Sequence, residues 1–401
     1  MNTLSVERHA VLRLMLTDFR CYETLQLNVD SRPVVLTGPN GAGKTNLLEA
    51  VSFLVPGRGL RGARLTEISR RSSAERVSDY QGLRPWAVAA RIENGSGLFN
   101  VGTGLSPDTA DPQAPRPRRV VRIDGETARG QSALSERVSA LWLTPDMQRL
   151  FVDGASGRRR FLDRLVFAFD PAHAGRLQGY EKAMRDRSRV LTDANTAGRA
   201  PDRTWLEAVE AIMVEKGIAI AAARADLVRR LNPACAMGVG PFPAAGLAVS
   251  GEIDGWLAQM SALDSEDLFG AALAQSRDRG AHGAHAHRVA VGPHLSDFNV
   301  THLDKNVAAA QCSTGEQKAL LISIVLANAR LQALDAGVVP LLLLDEVAAH
   351  LDEQRREALF EEIAAMGVQA WMTGTDPVLF ASLGSAAQHF AVADAQITPA
   401  S

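Results

Sequence analysis

The sequence predicts an α/β protein with a mixed N-terminal sheet, a parallel-strand core around a phosphate-binding loop, and an inserted helical arm. Three observations carry that expectation. Gly38-Pro39-Asn40-Gly41-Ala42-Gly43-Lys44-Thr45 matches the phosphate-loop pattern G-x-x-x-x-G-K-[ST]. Pro340-Leu341-Leu342-Leu343-Leu344-Asp345-Glu346 is an unbroken apolar run ending in two carboxylates, the pattern of a strand buried on both faces. Alternating leucines open the chain, and a long helical stretch separates the two nucleotide motifs.

The first element is a hairpin. Leu12, Leu14 and Leu16, then Leu25, Leu27 and Val29, keep a period of two on either side of Asp18-Phe19-Arg20. Pro33-Val34-Val35-Leu36-Thr37 reads as a short buried strand feeding the loop, and residues 46–54 have the apolar spacing of a helix leaving it. Glycines let the backbone approach a polyphosphate with successive N–H groups turned inward, and the helix amino end adds positive potential. Gly38, Pro39, Asn40, Gly41, Ala42, Gly43, Lys44, Thr45 and Asn46 are therefore the expected nucleotide-binding set. Lys44 is placed to reach the β- and γ-phosphates of ATP, and Thr45 to put its hydroxyl on Mg²⁺.

Beyond that helix runs Pro56-Gly57-Arg58-Gly59-Leu60-Arg61-Gly62-Ala63-Arg64. Glycine-spaced Arg58, Arg61 and Arg64 suit a loop that approaches a polyanion, and equally a solvated surface loop. Residues 86–92 and 120–123 read as strands. Residues 104–119 between them are rich in Pro, Asp and Arg and read as a hairpin insert whose Arg116, Arg118 and Arg119 could touch nucleic acid but are expected to be solvated. Residues 141–146 predict a strand ending at a turn. Ser156-Gly157-Arg158-Arg159-Arg160 then opens a helix with three cations in its first turn, against the helix dipole. Arg158, Arg159 and Arg160 thus require either a phosphate or an intramolecular carboxylate.

Residues 176–231 are largely helical with a break near 192–201, and their apolar stripe reads as a core face. Residues 232–250, rich in Gly, Pro and Ala, predict irregular strands. His282, His285 and His287 fall in a Gly/Ala-rich segment that lacks the further ligands a metal site needs, and read as loop histidines. Cys312-Ser313-Thr314-Gly315-Glu316-Gln317-Lys318 precedes a helical run over 319–334. There Ser313 and Gly315 can cradle a γ-phosphate at the helix amino end. Asp345 is placed to hold Mg²⁺ with its water shell, and Glu346 to orient or deprotonate the attacking water. Lys44 and Glu346 are the expected catalytic pair. Residues 368–375 predict a further strand ending in small hydroxylic residues.

Composition bounds the function. A chain of 401 residues, 46% hydrophobic and 22% charged, allows two or three domains of ordinary globular type. The net charge of −2 excludes a uniformly basic coating protein, but not a local basic patch. The apolar runs are too short for a bilayer span, the start lacks a signal-peptide layout, and three scattered cysteines form no disulfide framework. A cytoplasmic chain with no membrane partner is expected.

Taken together, the ordered motifs resemble an ABC-type ATPase head of the SMC superfamily. Ser313-Thr314-Gly315-Glu316-Gln317 stands where that family has its signature, with Glu316 at the second glycine. Asp345-Glu346 resembles the Walker B pair, and Ala349-His350-Leu351-Asp352 the D-loop, with Ala349 in place of its serine. Thr373 or Thr375 stands near the switch histidine of many ABC ATPases, and Asp146 or Gln148 is the Q-loop candidate. Leu16-Thr17-Asp18-Phe19-Arg20, Arg158-Arg159-Arg160-Phe161-Leu162-Asp163 and Gly292-Pro293-His294-Leu295-Ser296-Asp297 resemble family segments as well. One helical arm between Thr45 and Ser313 is too short for a long coiled coil and longer than a transporter's insert.

The resemblance implies a division into residues 1–170 (ATPase lobe with the phosphate loop), 171–285 (helical arm) and 286–401 (signature, Walker B and D-loop). It also implies a DNA-stimulated ATPase of replication, DNA-damage repair and the SOS response. Two heads would sandwich two ATP molecules and close on duplex or gapped DNA as an ATP-dependent homodimer. RecR and RecO would be partners in promoting RecA loading. Two other classes compete: a related ABC-type ATPase in anti-phage defence or signalling, and a small-molecule P-loop phosphotransferase. The signature segment argues against the second, and DNA-stimulated turnover separates the first reading from both.

Overall fold

Alternation of buried and exposed side chains organises the N-terminal sheet of the computed structural model, which describes residues 7–70, 84–106, 118–278, 289–335 and 337–400. The three histidines at 282, 285 and 287, and Arg116, lie outside the described residues. The chain divides into two compact units, residues 1–148 with 238–243 and 313–401, and residues 149–237 with 244–312.

In the first unit, Ala10–Phe19 and Tyr22–Asn28 form the predicted hairpin. Phe19 pairs with Tyr22, so the turn is two residues long, and Arg20 takes φ 54° to make it. The antiparallel sheet continues through Ala87–Asn94, Gly97–Leu105, Arg119–Ile123 and Glu126–Thr127. The strand Gly97–Leu105 was not anticipated. Phe99, Val101, Thr103 and Leu105 are its buried alternate positions, but Gly97, Gly102 and Gly104 dilute the apolar signal between them.

The second sheet of this unit has the order Gln396–Pro399, Gln388–Ala393, Val34–Thr37, Ala370–Gly374, Leu341–Leu344, Ala140–Leu143. Its strands run parallel except for the antiparallel edge hairpin. Val34–Thr37, Ala370–Gly374, Leu341–Leu344 and the edge strand Ala140–Leu143 are buried at every position, which is why they read as continuous apolar runs rather than alternating ones. Helix Lys44–Ser52 leaves the end of Val34–Thr37. Its Leu47, Leu48, Ala50 and Val51 share one hydrophobic cluster with Leu36 and Leu343 of the parallel sheet and Leu14, Leu16 and Val88 of the antiparallel one. Phe19, Phe53 and Trp86 meet at its far end with ring centroids 5.2–6.0 Å apart. Such pairs add about 0.5–1.5 kcal/mol each beyond burial. The mount under the phosphate loop is thus stiff from both sides.

The second unit contains helices Ala155–Phe167, His173–Thr196, Arg203–Ala236, Glu252–Gln259 and Ala262–Asp278. A three-stranded antiparallel sheet of Ala245–Ser250, Asp297–His302 and Val307–Ala308 completes it. The expected break near 192–201 ends where Asp202 caps the next helix, accepting from the Trp205 N–H at 3.0 Å. Residues 232–250 meet the expectation of irregular strand only in their second half. The helix runs through Pro233 to Ala236, and only Ala245–Ser250 is a strand. Proline in the last turn removes a single helical hydrogen bond. Meanwhile the Asn232 side chain bonds both the N–H and the carbonyl of Leu247, at 2.7 and 2.8 Å, tying helix end to strand. Among the described residues no helix is long and apolar enough to cross a membrane.

Candidate nucleotide site

The phosphate loop is shaped by two glycines that admit no side chain. At Gly38, φ 152°, a Cβ would lie 2.0 Å from the Val392 carbonyl oxygen. At Gly43, φ 111°, it would lie 2.6 Å from the Tyr22 hydroxyl. Tyr22 donates that hydroxyl to the Gly43 carbonyl at 3.2 Å, and burial raises its pKa, so it remains a donor. Pro39, Asn40 and Gly41 form the exposed crest of the loop, while Ala42, Gly43 and Lys44 are buried. Lys44 Nζ donates to the carbonyls of Gly38 and Pro39 at 2.7 and 2.8 Å. Burial lowers the Lys44 pKa, and the charges of Glu346 and Asp345 oppose that shift. The lysine therefore sits inside the loop, in the field of both carboxylates.

Leu341–Leu344 delivers those carboxylates at its carboxyl end, where parallel sheets place ligands. The Asp345 N–H donates to the Leu143 carbonyl at 2.9 Å, which fixes the side chain's origin. Asp345 Oδ1 accepts from Thr45 Oγ1 at 2.9 Å and from Thr373 Oγ1 at 2.8 Å. Burial raises the Asp345 pKa, the two hydroxyls pull it back, Glu346 raises it and Arg61 lowers it. No group of three or more His, Cys, Asp or Glu among the described residues could hold a metal. One carboxylate and one hydroxyl, completed by phosphate oxygens and water, is nonetheless the donor set that suits Mg²⁺.

Glu346 takes φ 53°, an uncommon conformation for a side-chain-bearing residue. Its N–H donates to Thr373 Oγ1 at 2.9 Å, so one hydroxyl on the neighbouring strand steadies both carboxylate residues. Thr373 was not in the expected site set. Its sequence signals were the hydroxylic end of the predicted strand over 368–375 and, with Thr375, a place near the switch histidine of the resembling family. Of the two Q-loop candidates, Gln148 lines a small cavity with Thr144, Lys318 and Asp345. Lys318 is buried there, and burial lowers its pKa to about 8 against the raising field of Glu346.

Ser313 and Gly315 are exposed at the start of helix Thr314–Asp335. No hydrogen bond joins either to the phosphate loop among the described residues. Glu316, set at a glycine position of the signature, has a local structural task. Its Oε2 accepts from the Ser313 N–H and Oγ, both at 2.9 Å, and the Glu316 N–H points back to Ser313 Oγ at 3.4 Å. That reciprocal pair is a capping box, legible as S-x-x-E before an apolar run. Asp352 of the D-loop segment also caps a helix, accepting from the Arg355 N–H at 2.8 Å.

The arginine groups differ from one another. Arg58, Arg61 and Arg64 are all exposed. Arg61 donates to Asn46 Oδ1 at 3.0 Å and lies 3.4 Å from Glu49 Oε2, so it reaches the phosphate-loop helix. Glu49 is fully buried and held bidentately by Arg20 at 2.7 and 2.8 Å. In the second unit, Arg158 Nε and Nη2 grip Asp297 at 2.7 and 2.8 Å, while Nη1 donates to carbonyls including Asp153's. Arg159 donates to the Ser296 carbonyl at 2.7 Å. For Arg158 the compensating anion is thus an intramolecular carboxylate, and Arg160 is the exposed member of the triplet. Arg119, expected to be solvated, is instead wrapped by five polar groups of the first unit.

Comparisons with known proteins agree with this arrangement. The family model described as RecF/RecN/SMC N terminal domain matches residues 10–383. The DNA replication and repair protein RecF of Mesorhizobium japonicum is 46% identical over 391 residues, covering 97% of each chain. That of Caulobacter sp. strain K31 is 47% identical, covering 98% of this chain and 99% of its own. Among solved structures, the recombination mediator protein RecF-ATPrS of the RecFOR pathway superposes with a TM-score of 0.81 at 18% identity, over 99% of this chain and 100% of its own. The Smc head domain of Pyrococcus furiosus, with an extended coiled coil, gives a TM-score of 0.52 at 14% identity, over 98% and 96%. A phosphate loop joined through Thr45 to a strand-end carboxylate, in a chain nearly half identical to these repair proteins end to end, places it in the RecF family of DNA replication and repair proteins, ATP-binding ATPases of the ABC/SMC type.

Proposed function

We propose that the chain is an ATP-hydrolysing, DNA-binding protein of recombinational repair and replication restart, active as an ATP-sandwiched dimer on duplex or gapped DNA. The observation that carries the site is the 2.9 Å bond between Thr45 and Asp345, residues from the two nucleotide motifs. Lys44 and the backbone of residues 38–46 bind the phosphates. Thr45 and Asp345 would hold Mg²⁺, which would supply charge neutralisation at the phosphates. Glu346 orients the attacking water and takes its proton. Ser313 and Gly315, exposed at a helix amino end, meet the γ-phosphate bound by the opposing subunit. The first unit is the ATPase lobe, with the second as an inserted arm. DNA phosphates meet Arg58, Arg61 and Arg64, with Arg160 from the second cluster. RecO and RecR are the partners in promoting RecA loading, at a cytoplasmic location; the RecFOR pathway named for one solved relative supports the first part of this reading.

The test is ATP turnover with and without gapped duplex DNA. We expect gapped DNA to stimulate the wild type. Glu346→Gln should bind ATP normally and turn it over at least about 100-fold more slowly, the scale of general-base loss. Lys44→Ala should lose ATP binding, because a charge-assisted phosphate contact goes with it. Normal turnover by the Glu346→Gln protein removes Glu346 as the base, and turnover indifferent to DNA removes the coupling.

A further inference from the structure

Arg119 enters the strand Arg119–Ile123 from the edge of the antiparallel sheet, and its guanidinium points at the end of the phosphate-loop helix. Nη2 donates to the carbonyls of Phe53 and Val55, Nη1 to the Gly57 carbonyl at 2.7 Å and to Gln131 Oε1 at 3.0 Å, and Nε to Thr103 Oγ1 at 2.6 Å. The guanidinium carbon also lies 4.9 Å from the centre of the Phe53 ring. Gln131 Oε1 accepts from the Gly57 N–H as well, at 3.1 Å. No carboxylate pairs with Arg119 among the described residues. What meets its charge is the carbonyl of Phe53, the C-cap of helix Lys44–Ser52, with the Val55 and Gly57 carbonyls of the turn that follows, at the negative end of that helix. Burial pulls its pKa to about 9, so the cation stays charged at neutral pH while resting in a desolvated seat.

The residues it gathers are the first residues of the segment that carries Arg58, Arg61 and Arg64. We propose that Arg119 is a positioning residue for DNA binding: it pins the base of the arginine loop to both the antiparallel sheet and the nucleotide helix, so that the loop arginines are presented as one rigid group. The proposal rests on the reading of that loop as a DNA surface. It distinguishes a guanidinium that holds a loop from one that touches phosphate. A contact arginine carries part of the salt dependence of binding, whereas a positioning arginine does not.

The experiment uses the full chain as the charge-removing Arg119→Gln and as the gentler Gln131→Ala, beside the triple variant Arg58→Ala/Arg61→Ala/Arg64→Ala. Duplex DNA affinity is measured with saturating ATP across a salt series, and hydrogen exchange is followed over residues 53–64. Both single variants should exchange faster over 53–64. Arg119→Gln should bind DNA about tenfold more weakly, the scale of one charge-assisted hydrogen bond, with an unchanged salt slope although a positive charge is gone. The triple variant should lose slope by roughly 0.9 per contact. A slope lowered in Arg119→Gln makes Arg119 a phosphate contact, and a parallel fall in ATP affinity makes its role general stability; either overturns the proposal. Unchanged affinity and exchange in both single variants overturns it as well. If the triple variant alone keeps full DNA affinity, the DNA reading of the loop fails, while exchange over 53–64 still reports whether Arg119 pins it.

Discussion

Thr45 and Asp345 are 300 positions apart in sequence, yet they share a hydrogen bond. Thr373 closes the group by donating to Asp345 Oδ1 while accepting from the Glu346 N–H. The left-handed backbone at Glu346, which costs on the order of 1–3 kcal/mol, thus persists at a position the neighbouring strand holds in place. Thr373→Val keeps the shape of the side chain and removes both bonds. We expect ATP affinity to stay within about threefold and turnover to fall about tenfold, the loss of one to two modest hydrogen bonds from the carboxylate mount. Single-turnover measurements separate this from a binding defect; equal losses in binding and chemistry would assign Thr373 to nucleotide binding instead. Lys44, Thr45, Asp345 and Glu346 were legible because each closes a motif. Thr373 was marked only as near the family's switch position; its bonds to Asp345 and Glu346 were not legible, since those partners come from the adjacent strand through the register that pairs Leu344 with Met372.

Between elements, the segments 158–163 and 292–297 are joined by ionic and backbone bonds within the second unit. Arg158 holds Asp297, Arg159 holds the Ser296 carbonyl, and Arg224 bridges Asp163 and the Pro293 carbonyl. The Arg158 guanidinium, hydrogen-bonded to Asp297, keeps that carboxyl below its usual pKa. A depressed carboxylate pKa stabilises the fold fully above the unfolded value, near ~3.9, and the contribution is lost as pH falls through the folded value. Asp297→Asn should therefore lower the urea midpoint at neutral pH, and the gap from wild type should shrink below about pH 4. A gap that stayed constant down to about pH 3 would locate the effect in packing rather than in the ion pair. The three cations in the first turn of Ala155–Phe167 showed in the sequence that an anion was needed. Which anion was settled by the strand Asp297–His302, more than a hundred residues away.

At the scale of the whole molecule, the signature helix is split in character. Gln317 through Ala329 are buried, but Ser313, Thr314 and Gly315 are exposed at its tip. An exposed amino end on a buried helix is a rigid platform for an anion carried by something else, which in the proposed dimer is the ATP of a second copy. Ser313→Arg should leave ATP binding by the monomer intact and block ATP-dependent dimerisation, because a bulky cation would fill the place of the opposing γ-phosphate. Sedimentation with a slowly hydrolysed ATP analogue reads this directly, and a normal dimer would sink the trans arrangement.

What the sequence by itself determined is the local chemistry: where the phosphate loop turns, which strands are buried on both faces, which helices are capped, and where two carboxylates end a strand. Each follows from a period, a glycine or a cap within a few residues. The strand Gly97–Leu105 escaped because its glycines hide the alternation, and the helix through Pro233 because its compensation is a distant strand, Ala245–Ser250. Tertiary structure alone decided how the charged side chains are used. Arginine is common along this chain, and a guanidinium's role depends on which carbonyls and carboxylates the fold brings within about 3 Å of it. Arg158 became a brace for Asp297, Arg119 a clamp on the phosphate-loop helix, and Arg61 a neighbour of Asn46, while Arg58 and Arg160 stayed exposed. Those partners lie tens to more than a hundred positions away, a separation that no local pattern encodes.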